Sequence, residues 1–226
     1  GVQTNNQNTF AKKFLCLNRN IKPHRIWLMY SLLRSSIINE GHVSFNLPSV
    51  DRRDFYVCSR SHHTLKRIPE SLHSDYKMAL VREMYNRKLD PLSSNHVINY
   101  NSSIKSYYND SLMSVITESD TNLNFITEKT YKAIMNLHPF FIVGNPDQHA
   151  LLRARGYHTF EGLFGVDQIT NYTEALAMWK HIGSKDIDVL KQNIKKKYLD
   201  KLIHNQKLFL SRKISWNDIT DNLITA

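Results

Sequence analysis

Hydrophobic and polar positions along this chain alternate between the strand and helix periods. Residues 14–17 (Phe-Leu-Cys-Leu) form a short apolar run, the pattern of a buried strand. A polar turn over 18–23 follows, and then Ile26, Tyr30, Leu33 and Ile37 recur near helical spacing until Asn39-Glu40-Gly41 ends the pattern. Residues 42–47 predict a second strand, closed by Pro48. The stretch 50–72 mixes charge, His and Ser and predicts a loop. Residues 74–89 predict a helix broken by Asp90-Pro91, 91–101 a loop, 102–108 a short helix and 112–117 a strand.

The organised pattern then returns. Thr127 predicts an N-cap, with helix to about 136, and 140–143 predict a strand. Gly144-Asn145-Pro146 predicts a turn, Asp147 the cap of a helix stopping at Gly156, and 157–160 a further short strand. Helix is expected over 172–182. One long helix is expected over 184–210, with Ile187, Leu190, Ile194, Tyr198 and Leu202 on one face and Lys191, Lys195, Lys197 and Lys201 elsewhere. Strands alternating with helices imply an α/β fold: a Rossmann-like, mostly parallel sheet with helices on both faces. The expected organisation is a polar tail over 1–12, a Rossmann-like domain over 13–183 with an irregular insertion about 50–101, and a basic helix and tail over 184–226.

Composition narrows the class. A chain of 226 residues with 41% hydrophobic content supports a real core. Two cysteines, Cys16 and Cys58, argue against a disulfide framework and suit a reducing, cytoplasmic compartment, that of the host cell if the protein is viral. No run approaches the ~18 apolar residues of a membrane span. The N-terminal stretch lacks the apolar core of a signal peptide. Of the net charge of +10, +7 lies between residues 180 and 213, where ten Lys or Arg face three Asp. Such a basic surface favours a polyanion or an anionic membrane face, the alternative being a solvated helix face.

The candidate chemistry gathers at strand ends. Thr117-Glu118-Ser119 ends one strand, and Thr127-Glu128-Lys129 opens the next helix. Ligands of open α/β sheets sit beyond the carboxyl ends of strands, so two carboxylates and a lysine converge on one crevice. A lysine in a first helical turn is mildly unfavourable, because that end carries roughly half a positive charge. Lys129 makes sense there if an anion such as a diphosphate docks on the same end. The turn after the first strand lacks the Gly-rich dinucleotide fingerprint but offers Arg19 and Arg25 as phosphate ligands. Cys58, His62 and His63 lack the second half of a zinc pattern, and no metal is expected. Asp186-Ile187-Asp188 reads as helix-end chemistry.

Residues 107–160 resemble the donor-binding half of the α-1,3-fucosyltransferases and their viral and bacterial relatives. That family has a strand ending in Glu-Asn-Ser, a gap, a Tyr-x-Thr-Glu-Lys helix start, and a strand with a Pro-x-x-x-Gly ending. The matching residues are Glu118-Ser119, then Phe125 to Lys129, then Pro139 to Gly144. The Asn-Arg, Pro-His-Arg and Thr-Glu-Lys elements are also similar to glycosyltransferase-like proteins of large phages. The resemblance implies a GT-B architecture and inverting, metal-independent transfer from a nucleoside-diphosphate sugar. It implies diphosphate contacts for Arg25 and Lys129, a ribose contact for Glu128, and support of the sugar or its loop by Glu118. The acceptor would be a glycan hydroxyl or a hydroxylated DNA base. Ser119 stands where the family has Asn, and Phe125 replaces Tyr, so fucose does not follow. The family's catalytic base lies in an acceptor domain that this stretch does not match; a missing domain or partner chain would supply it, and Asp51, Asp54 and Glu70 are the candidates within the chain. The other class kept open is a non-catalytic nucleic-acid-binding or structural α/β module.

Overall fold

The computed structural model describes residues 10–18, 20–45, 53–85 and 105–212. Among them, four strands form one sheet: β1 (Lys12–Asn18), β2 (Gly41–Phe45), β3 (Ser111–Thr117) and β4 (Phe140–Val143). Their order is β2-β1-β3-β4, and every neighbouring pair is parallel. The helices are α1 (Pro23–Arg34), α2 (Arg53–Arg60), α3 (His62–Leu65), α4 (Asp75–Tyr85), α5 (Lys105–Asn109), α6 (Glu128–Met135), α7 (Gln148–Ala154), α8 (Glu161–Phe164), α9 (Tyr172–Gly183), α10 (Ile187–Lys197) and α11 (Leu199–Ser211). The α/β class with a parallel, Rossmann-like sheet and flanking helices stands.

Parallel strands need covered faces, and β3 is buried along its whole length. Helix α1 opens with Pro23 at its first position, where the missing N–H costs nothing. It is buried continuously from His24 to Leu32, because α9 and α4 pack against it and α9 also reaches the sheet. Phe14 of β1 meets Trp179 of α9 with ring centroids 4.9 Å apart, and Tyr30 of α1 meets Tyr172 at 5.4 Å. The β1-to-β2 and β3-to-β4 crossovers run in opposite directions across the sheet. With right-handed connections, α1 and α6 therefore take opposite faces, and the order reverses between β1 and β3.

At the outer edge of β4, the N–H of Ile142 donates to Nε2 of His149 at 3.0 Å. The other ring nitrogen of His149 donates to Glu161 at 3.0 Å, which fixes the tautomer.

Several segments differ from expectation. The described part of 50–72 is helical rather than a loop. Phe55 and Ser59 of α2 turn inward, and Ser61 caps α3 through Thr64 N at 3.2 Å. Its charges occupy the outer face of short helices. Residues 157–160 are not a fifth strand: the Asn205 side chain takes the N–H of His158 at 2.7 Å and its carbonyl at 2.8 Å, so no ladder partner is needed. Asp147 does not cap α7 with its side chain; Asn145 Oδ1 instead accepts the Asp147 N–H at 2.9 Å. The expected long C-terminal helix breaks at Tyr198 (φ −124°, ψ −9°), whose ring meets Phe160 at 5.8 Å. Leu190 and Leu202 are buried, Phe209 stacks on Tyr131 of α6 at 5.2 Å, and Lys195, Lys196, Lys197, Lys201 and Lys207 stay exposed. Residues 46–47, 86–104 and 213–226, which carry parts of other expected elements, lie outside the described residues. No helix among the described residues is long and apolar enough to cross a membrane.

Candidate functional site

The carboxyl ends of β1 and β3 open onto the first turns of α1 and α6, and Glu118 joins the two. Its main-chain carbonyl accepts the Nε2–H of His24 at 2.9 Å and a guanidinium N–H of Arg25 at 3.3 Å. Its side chain is fully buried beneath the α6 N-terminus. There the carboxylate accepts the Thr127 N–H at 3.3 Å, the Thr130 hydroxyl at 2.9 Å and the Thr127 hydroxyl. A buried carboxylate is tolerable only with such compensation, and the helix end supplies both donors and partial positive charge.

This arrangement changes the reading of Lys129. Its Nζ folds back to Ser119 Oγ at 3.0 Å and Thr127 Oγ1 at 3.2 Å, with Glu118 at 4.0 Å and Glu128 at 3.7 Å. The Glu118 carboxylate therefore sits at the end of α6, within the protein. Thr127 is the cap as expected, accepting the Lys129 N–H at 3.4 Å. Of the three ammonium protons, Ser119 and Thr127 take two, and the third stands between the two carboxylates at the mouth of the strand end. The side chain is 29% exposed. Glu128 is solvent-facing.

Arg25 is buried, not a surface arginine. It donates to the carbonyls of Asn20 at 2.7 Å and Thr117 at 3.3 Å besides Glu118, tying the α1 start to the end of β3. Its Nε is buried and has no partner among the described residues. Burial pulls its pKa below the ordinary value, opposed by Cys16 and Glu118.

A cleft of about 310 Å³ runs from these groups down the sheet face. Arg25, Ser119, Glu128, Lys129 and Lys132 line its polar end, and Leu15, Leu17, Tyr108 and Ile116 its apolar wall. Arg25, Thr127, Glu128 and Lys129 thus gather around one strand end, with Glu118 behind them. Arg19 and Asp51 lie outside the described residues. Asp54 and Glu70 are exposed on α2 and a 3-10 turn (Glu70–Leu72) and line neither this cleft nor the second one described below. No three His, Cys, Asp or Glu side chains gather as a metal site among the described residues, Cys58, His62 and His63 included.

Two histidines beside the site escaped the sequence reading. His24 and His138 are buried, and in each the Nε2–H donates to a carbonyl, that of Glu118 and that of Tyr108 at 2.7 Å. His138 Nδ1 accepts from Ser114 at 3.0 Å. Burial drives both pKa values down to about 4, so both are neutral imidazoles near pH 7. The only signal for His24 was its place just after a helix-starting proline.

No family model, curated protein or solved structure matches this chain. The fold and the geometry of the cleft therefore carry the functional argument.

Proposed function

We propose that this chain is the donor-binding part of a glycosyltransferase of GT-B type, moving a sugar from a nucleoside diphosphate to a hydroxyl acceptor. One observation carries the reading. At the point where strand order reverses, Lys129, Lys132 and Arg25, whose Nε has no partner among the described residues, line a cleft with an apolar inner wall. The nucleoside packs against Leu15, Leu17 and Tyr108. Glu128 accepts from ribose hydroxyls, and the diphosphate meets Lys129 at the α6 end. In transfer, the acceptor oxygen attacks the anomeric carbon as its bond to the diphosphate oxygen breaks. The acceptor proton passes to a base. Negative charge builds on the leaving diphosphate, and Lys129 stabilises it by about 2–4 kcal/mol, the usual range for such donors.

Calorimetry against a panel of nucleoside diphosphates tests this reading. One nucleotide should bind tightly, and Lys129→Ala should weaken it about tenfold or more. Absence of binding by every nucleotide, or an unaffected Lys129→Ala, rejects it. The acceptor is a glycan or a hydroxylated base in DNA. A non-catalytic nucleic-acid-binding module is the second reading, favoured by the outward-facing lysines of α10 and α11. It requires duplex binding that falls steeply with salt, together with no nucleotide binding.

A further inference from the structure

A second cleft, of about 300 Å³, lies on the other side of Ser119, the residue it shares with the first. Its walls come from the α1 start (Lys22, His24), the segment around α3 (His63, Arg67), the loop after β3 (Asp120) and the turn after β4 (Gly144). Its chemistry differs from that of the first cleft. Lys22, His63 and Arg67 are exposed, and their side chains have no hydrogen-bond or ion-pair partner among the described residues. The α1 N-terminus beside them has no side-chain cap and no acidic residue in its first turn. Both features leave positive potential uncompensated, with Asp120 the one carboxylate in the wall.

His24 adds a fixed acceptor. Its Nε2–H is committed to the Glu118 carbonyl at 2.9 Å, so Nδ1 carries the lone pair, and Nδ1 has no partner among the described residues. The residue is only 6% exposed, and burial keeps it neutral down to a pH of about 4. A neutral acceptor beside two unpaired long cations suits a ligand carrying both hydroxyl and phosphate.

We propose that this second cleft binds a phosphorylated polyol, with Lys22 and Arg67 on the phosphate and Nδ1 of His24 accepting from a hydroxyl. As an acceptor subsite it rests on the glycosyl-transfer reading; as a phosphate site it stands without it. Sharing Ser119, the two clefts bring donor and acceptor together at the carboxyl end of β3.

Glycerol phosphate, glycerol and the phosphodiester thymidylyl-thymidine are titrated calorimetrically into the full chain. Glycerol phosphate should bind where glycerol does not, and more tightly than the phosphodiester. The double variant Lys22→Ala/Arg67→Ala should lose at least about tenfold in that affinity while keeping nucleoside-diphosphate affinity within about twofold. In the unsubstituted chain, amide shifts at Gly144 and Thr170 should respond to the same probe, which locates the site without any mutation. Tighter binding of glycerol phosphate supports the phosphorylated polyol, and tighter binding of the phosphodiester overturns it in favour of a nucleic-acid strand. Equal binding of glycerol and glycerol phosphate, with no gain from the phosphodiester, overturns the proposal, as does an unaffected double variant. Competition with nucleoside diphosphates overturns the acceptor role. Phosphate binding with no nucleotide binding keeps this site and rejects the donor reading.

Discussion

Removing Glu118 tests whether one buried carboxylate organises the whole strand-end site. Its carboxylate has no solvent access and three donors, from Thr127 N–H, Thr127 hydroxyl and Thr130 hydroxyl. Hydrogen bonds to a charged group contribute roughly 1.5–3 kcal/mol each. Oε1 takes both the Thr127 N–H and the Thr130 hydroxyl, and Oε2 takes the Thr127 hydroxyl. Glu118→Gln keeps the volume and an acceptor at Oε1, but it removes the charge from the bonds and puts an N–H₂ against the Thr127 hydroxyl, which must turn round to accept. The expected cost is about 3 kcal/mol, roughly 1 for each bond that changes from charge-assisted to neutral. That is a large part of a typical stability of roughly 5–15 kcal/mol. Urea unfolding followed by the fluorescence of buried Trp27 and Trp179 measures it. Lys129→Ala is the control. Its ammonium stands 4.0 Å from Glu118 and is 29% exposed, so its loss should cost no more than about 1 kcal/mol. If Glu118→Gln costs under about 1 kcal/mol, the organising role is wrong. If Lys129→Ala costs as much as Glu118→Gln, the lysine is a structural counterion and is not free for a ligand.

Other outcomes follow from single features. His24 and His138 have folded pKa values of about 4 against 6.5 unfolded, so the unfolded chain binds more protons in that window. Stability should be full above pH 6.5 and fall as pH drops towards 4, by roughly 3 kcal/mol per histidine; unfolding free energy against pH measures this, and His138→Asn should flatten the slope. Asn205→Ala strands both main-chain groups of His158 and should loosen α11, costing about 2–4 kcal/mol; hydrogen exchange should rise in α11 before the sheet, and uniform exchange would refute this. A methyl group on Gly41 would run into the ring of buried Phe14, so Gly41→Ala should cost about 1–3 kcal/mol, read as a lowered thermal midpoint; an unchanged midpoint would show that the ring can yield.

Elements with strong local signals were legible in the sequence. The apolar runs of β1, β3 and β4 and the threonine cap of α6 are set by side chains within the segment itself, and each forms near its expected bounds. Misreadings arose where a distant residue decides the outcome. Residues 157–160 are apolar enough for a strand, but Asn205, 47 positions away from His158, satisfies its backbone first. Tyr198 interrupts a continuous helical pattern because its ring packs near Phe160. The charges in 53–65 looked loop-like because the helices there are short and half-exposed. At the site, the sequence brought Glu118, Thr127 and Lys129 to one strand end, as the structure does. Nothing in the spacing of Glu118 and Thr127 says that the carboxylate turns under the helix rather than towards a ligand.

The imidazole on the outer edge of β4 bears on how copies of this chain meet. An edge strand with open N–H groups is a template on which a second sheet can grow. Here the outward N–H of Ile142 is already taken by His149, itself held by Glu161 and Arg153. A chain approaching that edge would have to displace a buried, hydrogen-bonded ring to gain a single ladder bond. The β4 side of the sheet is thereby protected against self-association and amyloid-like stacking, so any assembly of several copies is expected to form through other faces of the molecule.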